Sequence, residues 1–218
     1  MRVVVVLNPN ARHGRAGEDE AEAVRALQGL GVEFDLVKTS RPGDAVLMAR
    51  RAAEQGCDVV CAMGGDGTVN EVINGIAGTG AALAVVPVGT GNDFASALGV
   101  PKGDVTAACR ILAQGHRRPM DLCRVNDRHF ASSFGAGFDA RVTRAANERF
   151  KHLGGIWTYI FAVMSVIWSF RPGRMRIAAD GREISKSPLL VAVTNWKSYG
   201  GGMYICPGAE IDDGLFDV

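Results

Sequence analysis

Apolar residues fall in short, regularly spaced runs along the first half of the chain. Val3, Val4, Val5, Val6 and Leu7 follow one another without a polar interruption, the pattern of a parallel strand covered on both faces. Further strand-like runs occupy 33–38, 58–63 and 82–88. Segments of helical character lie at 16–30, 42–55 and 68–77, with a short helix around 94–98 and another over 104–114 closed by Gly115. This alternation predicts a parallel sheet with helices on both faces. After Pro119 the pattern changes. The runs 120–125, 130–134, 174–179 and 189–194 read as strands, and Asn126-Asp127 and Asp180-Gly181 as two-residue hairpin turns. A helical insertion is expected between about 141 and 170. The expected organisation is an α/β domain over 1–118 and a mostly antiparallel β domain over 119–218, with the boundary at 116–120.

One apolar run stands apart. From 154 to 170 there is no charge, and Trp, Ile, Val and Phe dominate until Arg171. It sits at the lower edge of membrane-span length. Because Thr158, Ser165 and Ser169 interrupt it, the expectation is a largely buried helix of a soluble protein.

Composition narrows the function classes. A net charge of +1 provides no whole-molecule attraction to nucleic acid, so anion binding has to be local. The five cysteines include no Cys-x-x-Cys pair and no zinc spacing with histidine, which predicts reduced thiols and a cytoplasmic protein. His13, His116, His129 and His152 have no partners at catalytic spacing and read as surface or satisfied residues. Arg117-Arg118 reads as a solvated boundary pair.

The chemistry concentrates at Gly64-Gly65-Asp66-Gly67-Thr68. An apolar strand ends there and a helix begins. Glycines lacking Cβ let the backbone turn sharply and bring its N–H groups to an anion, and the new helix start adds further N–H groups. Thr68 with Glu71 has the spacing of a capping box. Asp66 is placed to meet a Mg²⁺ ion bridging phosphates. The string is neither a Walker A loop nor a dinucleotide fingerprint. A second turn, Gly89-Thr90-Gly91, ends the next strand, and Asn92 and Asp93 can cap the helix after it.

The string GGDGTVNEVINGI resembles the nucleotide loop of the diacylglycerol kinase catalytic family. Gly-Gly-Asp-Gly is shared with NAD kinases and, more loosely, phosphofructokinases; Asn70-Glu71 leans toward the lipid kinases. Four further blocks resemble that family in order: Asn8-Pro9-Asn10, the segment 39–45 beginning at Thr39, the segment 87–95 with Thr90 and Asn92, and the late stretch with Gly200-Gly201-Gly202 and 207–217. The resemblance implies a Rossmann-like nucleotide domain followed by a β-sandwich domain. It implies ATP held around Asn8, Asn10, Thr39, 64–68, Glu71, Thr90 and Asn92; Arg12 and Arg15, by their position after the Asn-Pro turn, are weaker phosphate candidates. It places a structural Mg²⁺ at Asp213 with the backbone oxygens of Glu210 and Leu215. The substrate would be a diacylglycerol-like lipid in a cleft between the domains, which implies reversible contact with the inner face of the membrane; a homodimer is compatible. The resemblance also implies a longer chain whose later Asp-Gly-Glu-like motif supplies a general base, so this sequence reads as a fragment or a variant of impaired activity. The alternatives are a soluble-substrate kinase of the NAD kinase type and a nucleotide-binding regulatory protein.

Overall fold

The computed structural model describes residues 1–11, 16–150, 153, 155–199 and 203–218. Arg12, His13, Arg15, His152 and the glycines 200–202 lie outside the described residues. In chain order the elements are β1 (Val3–Leu7), α1 (Ala16–Gly29), β2 (Phe34–Lys38), α2 (Asp44–Glu54), β3 (Val59–Gly64), α3 (Asp66–Ile76) and β4 (Ala82–Pro87). They continue with α4 (Asp93–Ala97), α5 (Val105–Gln114), β5 (Cys123–Val125), β6 (Arg128–Phe130), β7 (Ser133–Gly137) and α6 (Phe138–Ala145). A π-helical turn (Ala146–Phe150) and α7 (Gly155–Ile167) precede β8 (Met175–Ala179), β9 (Arg182–Lys186), β10 (Leu190–Thr194), β11 (Ser198–Tyr199) and β12 (Met203–Tyr204).

Two compact units result: Met1–Ser132 with Asn195–Leu215, and Ser133–Thr194 with Phe216–Val218. In the first, β2-β1-β3-β4 form a wholly parallel sheet in that spatial order, with Val5 level with Leu36 on one side and Cys61 on the other. Every residue of β1 and β3 is buried, so the sheet is covered on both faces, as their continuous apolar runs predict. Helix α1 packs with α5, and α2 with α3. The α2–α3 approach is close enough that a Cβ on Gly75 would lie 2.6 Å from the Ala49 methyl.

The expected strand over 120–125 shortens to β5 because the preceding residues pair elsewhere. Asp121 donates its N–H to the Ile211 carbonyl at 2.7 Å, and its carboxylate accepts the Gly214 N–H at 2.6 Å. The Arg118–Asp212 pair at 3.0 Å holds the same late segment to the first unit. The hairpin turns form as read: Asn126 and Asp180 take positive φ of 51° and 48°, joining β5 to β6 and β8 to β9.

In the second unit β7 and β10 are antiparallel partners, and β8–β9 is a hairpin. Its helices share a small core of Val142, Ala145, Ala146, Ala162 and Val166, and Phe138 meets Phe170 edge-to-face at 5.4 Å. The expectation of a largely buried apolar helix is corrected here. Most of α7 is exposed, because only one stripe has anything to pack against. Among the described residues no helix is long and apolar enough to cross a membrane.

All five cysteines are free thiols. Burial pushes the Cys109 thiol up to about 11 and Cys123 up to about 12, so both stay protonated and unreactive.

Candidate functional site

The order β2-β1-β3-β4 reverses direction between β1 and β3, since the chain moves outward from β1 to β2 and then returns past it to β3. The carboxyl ends at such a reversal diverge and leave a crevice where open α/β sheets bind ligands. Asn8, immediately after β1, and the turn after β3 flank that crevice. The Asn8 amide Nδ2 donates to Thr68 Oγ1 at 3.1 Å across it, and Asn8 Oδ1 accepts the Asn10 N–H at 3.0 Å. Thr39 is buried beside it, continuing the ladder with its N–H on the Leu7 carbonyl at 2.9 Å.

The two glycine turns meet back to back. A Cβ on Gly89 would fall inside van der Waals contact of Gly65 Cα, 3.0 Å from Gly65 N and 2.7 Å from Asn92 Oδ1. A Cβ on Gly64 would lie 2.6 Å from Thr68 Cβ. These glycines are therefore explained by the protein's own packing. Gly67 is not: nothing lies within 4 Å of its missing Cβ, and its φ is not in the left-handed region. A Cβ there would enter open space, so the backbone of the turn is uncovered on that side.

The capping-box reading is corrected. Helix α3 begins at Asp66, with Gly65 as its N-cap and no side-chain cap. Thr68 sits inside the first turn with its hydroxyl on Asn8, and Glu71 reaches away to accept the Gly43 N–H at 3.0 Å. That bond draws the loop between β2 and α2 toward the site. The loop is shaped by Asp44, which accepts from the Ser40 hydroxyl at 2.6 Å and N–H at 2.9 Å and from Arg41. Those bonds, led by the Ser40 hydroxyl, hold the Asp44 carboxyl well below the usual carboxylate range.

Nor does Asn92 cap the following helix through its side chain. It adopts a left-handed φ of 55° and closes on Gly89, accepting its N–H at 3.0 Å and donating to its carbonyl at 2.8 Å. The cap of α4 comes from Asp66, whose Oδ1 accepts the Phe94 N–H at 3.0 Å. Its Oδ2 faces Gly91, where a Cβ would stand 2.9 Å away. Thr90 is exposed at the tip of the second turn. Asn8, Thr39, the 64–68 turn, Thr90 and Asn92 thus gather at the carboxyl edge of one sheet, in its loops and the first turn of α3, and Glu71 follows within that helix.

Glu210, Asp213 and Leu215 lie apart from these turns, in the late segment of the first unit. Asp213 Oδ1 accepts the Leu215 N–H at 2.9 Å, and Gly214 takes a φ of 76°. Among the described residues no group of three His, Cys, Asp or Glu side chains is placed to hold a metal ion. A cation here would rely on one carboxylate and backbone oxygens. A cavity of about 430 Å³ elsewhere in the unit, between the outer edge of β4, α5 and Arg117, contains neither Asn8, Thr39 nor any residue of the 64–68 turn.

Sequence reasoning passed over three side chains. Asn74 grips the backbone of His129, donating to its carbonyl at 2.9 Å and accepting its N–H at 2.8 Å. Asn195 is fully buried, with Nδ2 on the Asp121 carbonyl at 3.0 Å. Asp139, in the second unit, follows Gly137 at a φ of 101°, and burial raises its carboxyl above the ordinary range. A half-buried carboxyl of this kind is a recurrent feature of functional sites. The string Gly135-Ala136-Gly137-Phe138-Asp139 was the available signal: two glycines at a strand end before a carboxylate at a helix start.

Residues 2–125 match the family described as diacylglycerol kinase catalytic domain, and residues 132–218 match the YegS C-terminal NAD kinase beta sandwich-like domain. The chain is 33% identical over 219 residues to the diacylglycerol kinase of Bacillus subtilis (strain 168), covering 100% of this chain and 72% of that protein. It is 34% identical over 224 residues to the diacylglycerol kinase of Mycobacterium tuberculosis (strain ATCC 25618 / H37Rv), again 100% of this chain and 72% of the relative. A solved diacylglycerol kinase from Bacillus anthracis str. Sterne is 30% identical with a TM-score of 0.80, covering 99% of this chain and 71% of that one.

Proposed function

Because the chain belongs to the diacylglycerol kinase catalytic-domain family, a family of lipid kinases, we propose that it transfers the γ-phosphoryl group of ATP to a hydroxyl of diacylglycerol or a related lipid. The observation that carries the ATP reading is the turn at 64–68. It stands at the strand-order reversal, is braced by Gly89 behind and Asn8 beside it, and keeps an unexplained open space over Gly67. Backbone N–H groups of such a turn and of the α3 start suit phosphate oxygens. Asn8, Asn10 and Thr39 would border the nucleotide on one side, and Thr90 and Asn92 on the other. Glu71 and Asn92 act on the site by fixing the loops at Gly43 and Gly89.

Asp66 fits a cation that accompanies the phosphates: Oδ1 is committed to Phe94, while Oδ2 holds no hydrogen bond among the described residues. A bound Mg²⁺ would neutralise phosphate charge there, and phosphoryl transfer rests chiefly on such neutralisation and on positioning. A second, structural cation is proposed at Asp213 with the backbone oxygens of Glu210 and Leu215. A diacylglycerol-like substrate resides in membranes, so the protein is proposed to work at the cytoplasmic membrane face.

The test is label transfer from γ-labelled ATP, resolved by thin-layer chromatography, with diacylglycerol, sphingosine, phosphatidylglycerol and NAD offered separately. Label in a phosphorylated lipid is expected. Label found solely in NADP would replace the lipid reading with a soluble-substrate kinase.

A further inference from the structure

Helix α7 is apolar on nearly every side, yet one stripe alone is covered. Ala162 and Val166 are buried against Val142, Ala145 and Ala146. The rest of its surface presents Trp157 at 59% exposure and Met164 at 55%, and Trp168 just past its end is 87% exposed. Phe161 lies between them, 6.4 Å from the Trp157 ring. A surface helix normally sets polar residues opposite its apolar stripe. Here Ser165 interrupts that surface, and its hydroxyl turns back onto the Ala162 carbonyl at 2.8 Å. A contiguous apolar surface of this kind marks a site of interaction.

The charge around it selects the partner. From 141 to 174 the sole acid is Glu148, against five arginines and one lysine. Glu148 is engaged by Arg144 at 2.9 Å. Arg149 and Arg171 flank α7, are exposed, and hold no ion pair among the described residues. A second copy docking through this face by two-fold symmetry would set these cations against themselves. An anionic lipid surface complements them. Length settles the mode of contact: 13 residues span roughly 20 Å, less than the roughly 30 Å hydrocarbon core, so the helix can lie in the interface but not cross it.

We propose that α7 is the membrane-docking element of this protein, lying in the plane of an anionic bilayer with Trp157, Phe161, Met164 and Trp168 at the acyl boundary and Arg149 and Arg171 on lipid phosphates. It rests on the lipid-kinase reading only in taking a bilayer as the place of work.

Trp157 and Trp168 are two of the three tryptophans, which supplies the assay. Tryptophan emission is followed as vesicles of phosphatidylcholine and phosphatidylglycerol with brominated acyl chains are added. Strong quenching is expected. The conservative double variant W157F/W168F should lose it while still co-sedimenting with the vesicles. The double variant R149E/R171E should bind anionic vesicles more weakly by about fivefold per arginine and pure phosphatidylcholine vesicles equally well. Unquenched emission in the parent, or quenching that survives in W157F/W168F, overturns the proposal. So does a parent dimer in equilibrium sedimentation that M164S dissociates without any vesicle binding, which would assign the face to a second copy. Kinase assays keep the two readings apart. R149E/R171E should phosphorylate a water-dispersed short-chain diacylglycerol like the parent and vesicle-embedded diacylglycerol more slowly. If vesicles quench the parent but no lipid is phosphorylated in either form, docking stands and the lipid-kinase reading falls.

Discussion

Alanine at Gly67 and at Gly89 should have opposite effects on stability but the same effect on ATP. At Gly89 the new methyl would meet backbone: Gly65 Cα within contact distance and Gly65 N at 3.0 Å, with Asn92 Oδ1 at 2.7 Å. No rotamer relieves a clash with backbone, so the cost is that of overpacking, about 1–3 kcal/mol. In a chain of this size each kcal/mol moves the melting temperature by about 2–4 °C, giving a fall of roughly 2–12 °C. At Gly67 the methyl meets nothing within 4 Å. Alanine in the first turn of α3 should instead stabilise by about 0.5–1 kcal/mol, raising the melting temperature by roughly 1–4 °C. If the turn wraps phosphate, the same methyl occupies ligand space, and ATP affinity should fall at least about tenfold, or about 1.4 kcal/mol. Melting is read by circular dichroism without nucleotide and affinity by titration calorimetry. A Gly67→Ala protein that melts higher and binds ATP like the parent would refute the reasoning, leaving the turn purely structural.

Two further substitutions test the supports. Asn74→Ala strips the partner from both backbone groups of His129 and should cost about 1–3 kcal/mol in urea unfolding; a change within error would mean that water replaces the amide at no cost. Asp139→Asn tests the raised carboxyl. Its folded-state value lies above the unfolded one, so the folded chain holds the proton more tightly. The parent should be most favoured at acid pH and lose that advantage as pH rises through the folded-state value. The asparagine variant should lack this decline, and parallel pH profiles of the urea midpoint for the two proteins would contradict it.

The parallel half of the fold was legible because its signals are local. Uninterrupted apolar runs at Val3–Leu7 and Val59–Gly64 belong to strands buried on both faces, an Asn-Pro turn follows the first, and a glycine turn follows the second. The details of the site were less legible where partners are remote in sequence. Thr68 and Glu71 have the spacing of a capping box, yet their side chains are taken by Asn8 and Gly43, and the helix starts two residues earlier. Asp66 caps a helix that begins at Asp93, a pairing no short pattern encodes. The exposure of α7 was hidden for another reason. A helix apolar all round has no periodicity to reveal which stripe is covered. The return of 195–215 to the first unit depends on Asp121, Arg118 and Asn195 meeting residues far along the chain.

The proposed function stands or falls with phosphate binding at the turn 64–68. A crystal structure with a non-hydrolysable ATP analogue and Mg²⁺ tests it most directly. The analogue's phosphates are expected on the backbone N–H groups of 64–68, over Gly67 and beside Asn8, with the metal at the Asp66 carboxylate. Phosphates bound away from the carboxyl edge between β1 and β3, or a turn at 64–68 that holds only water, would contradict it.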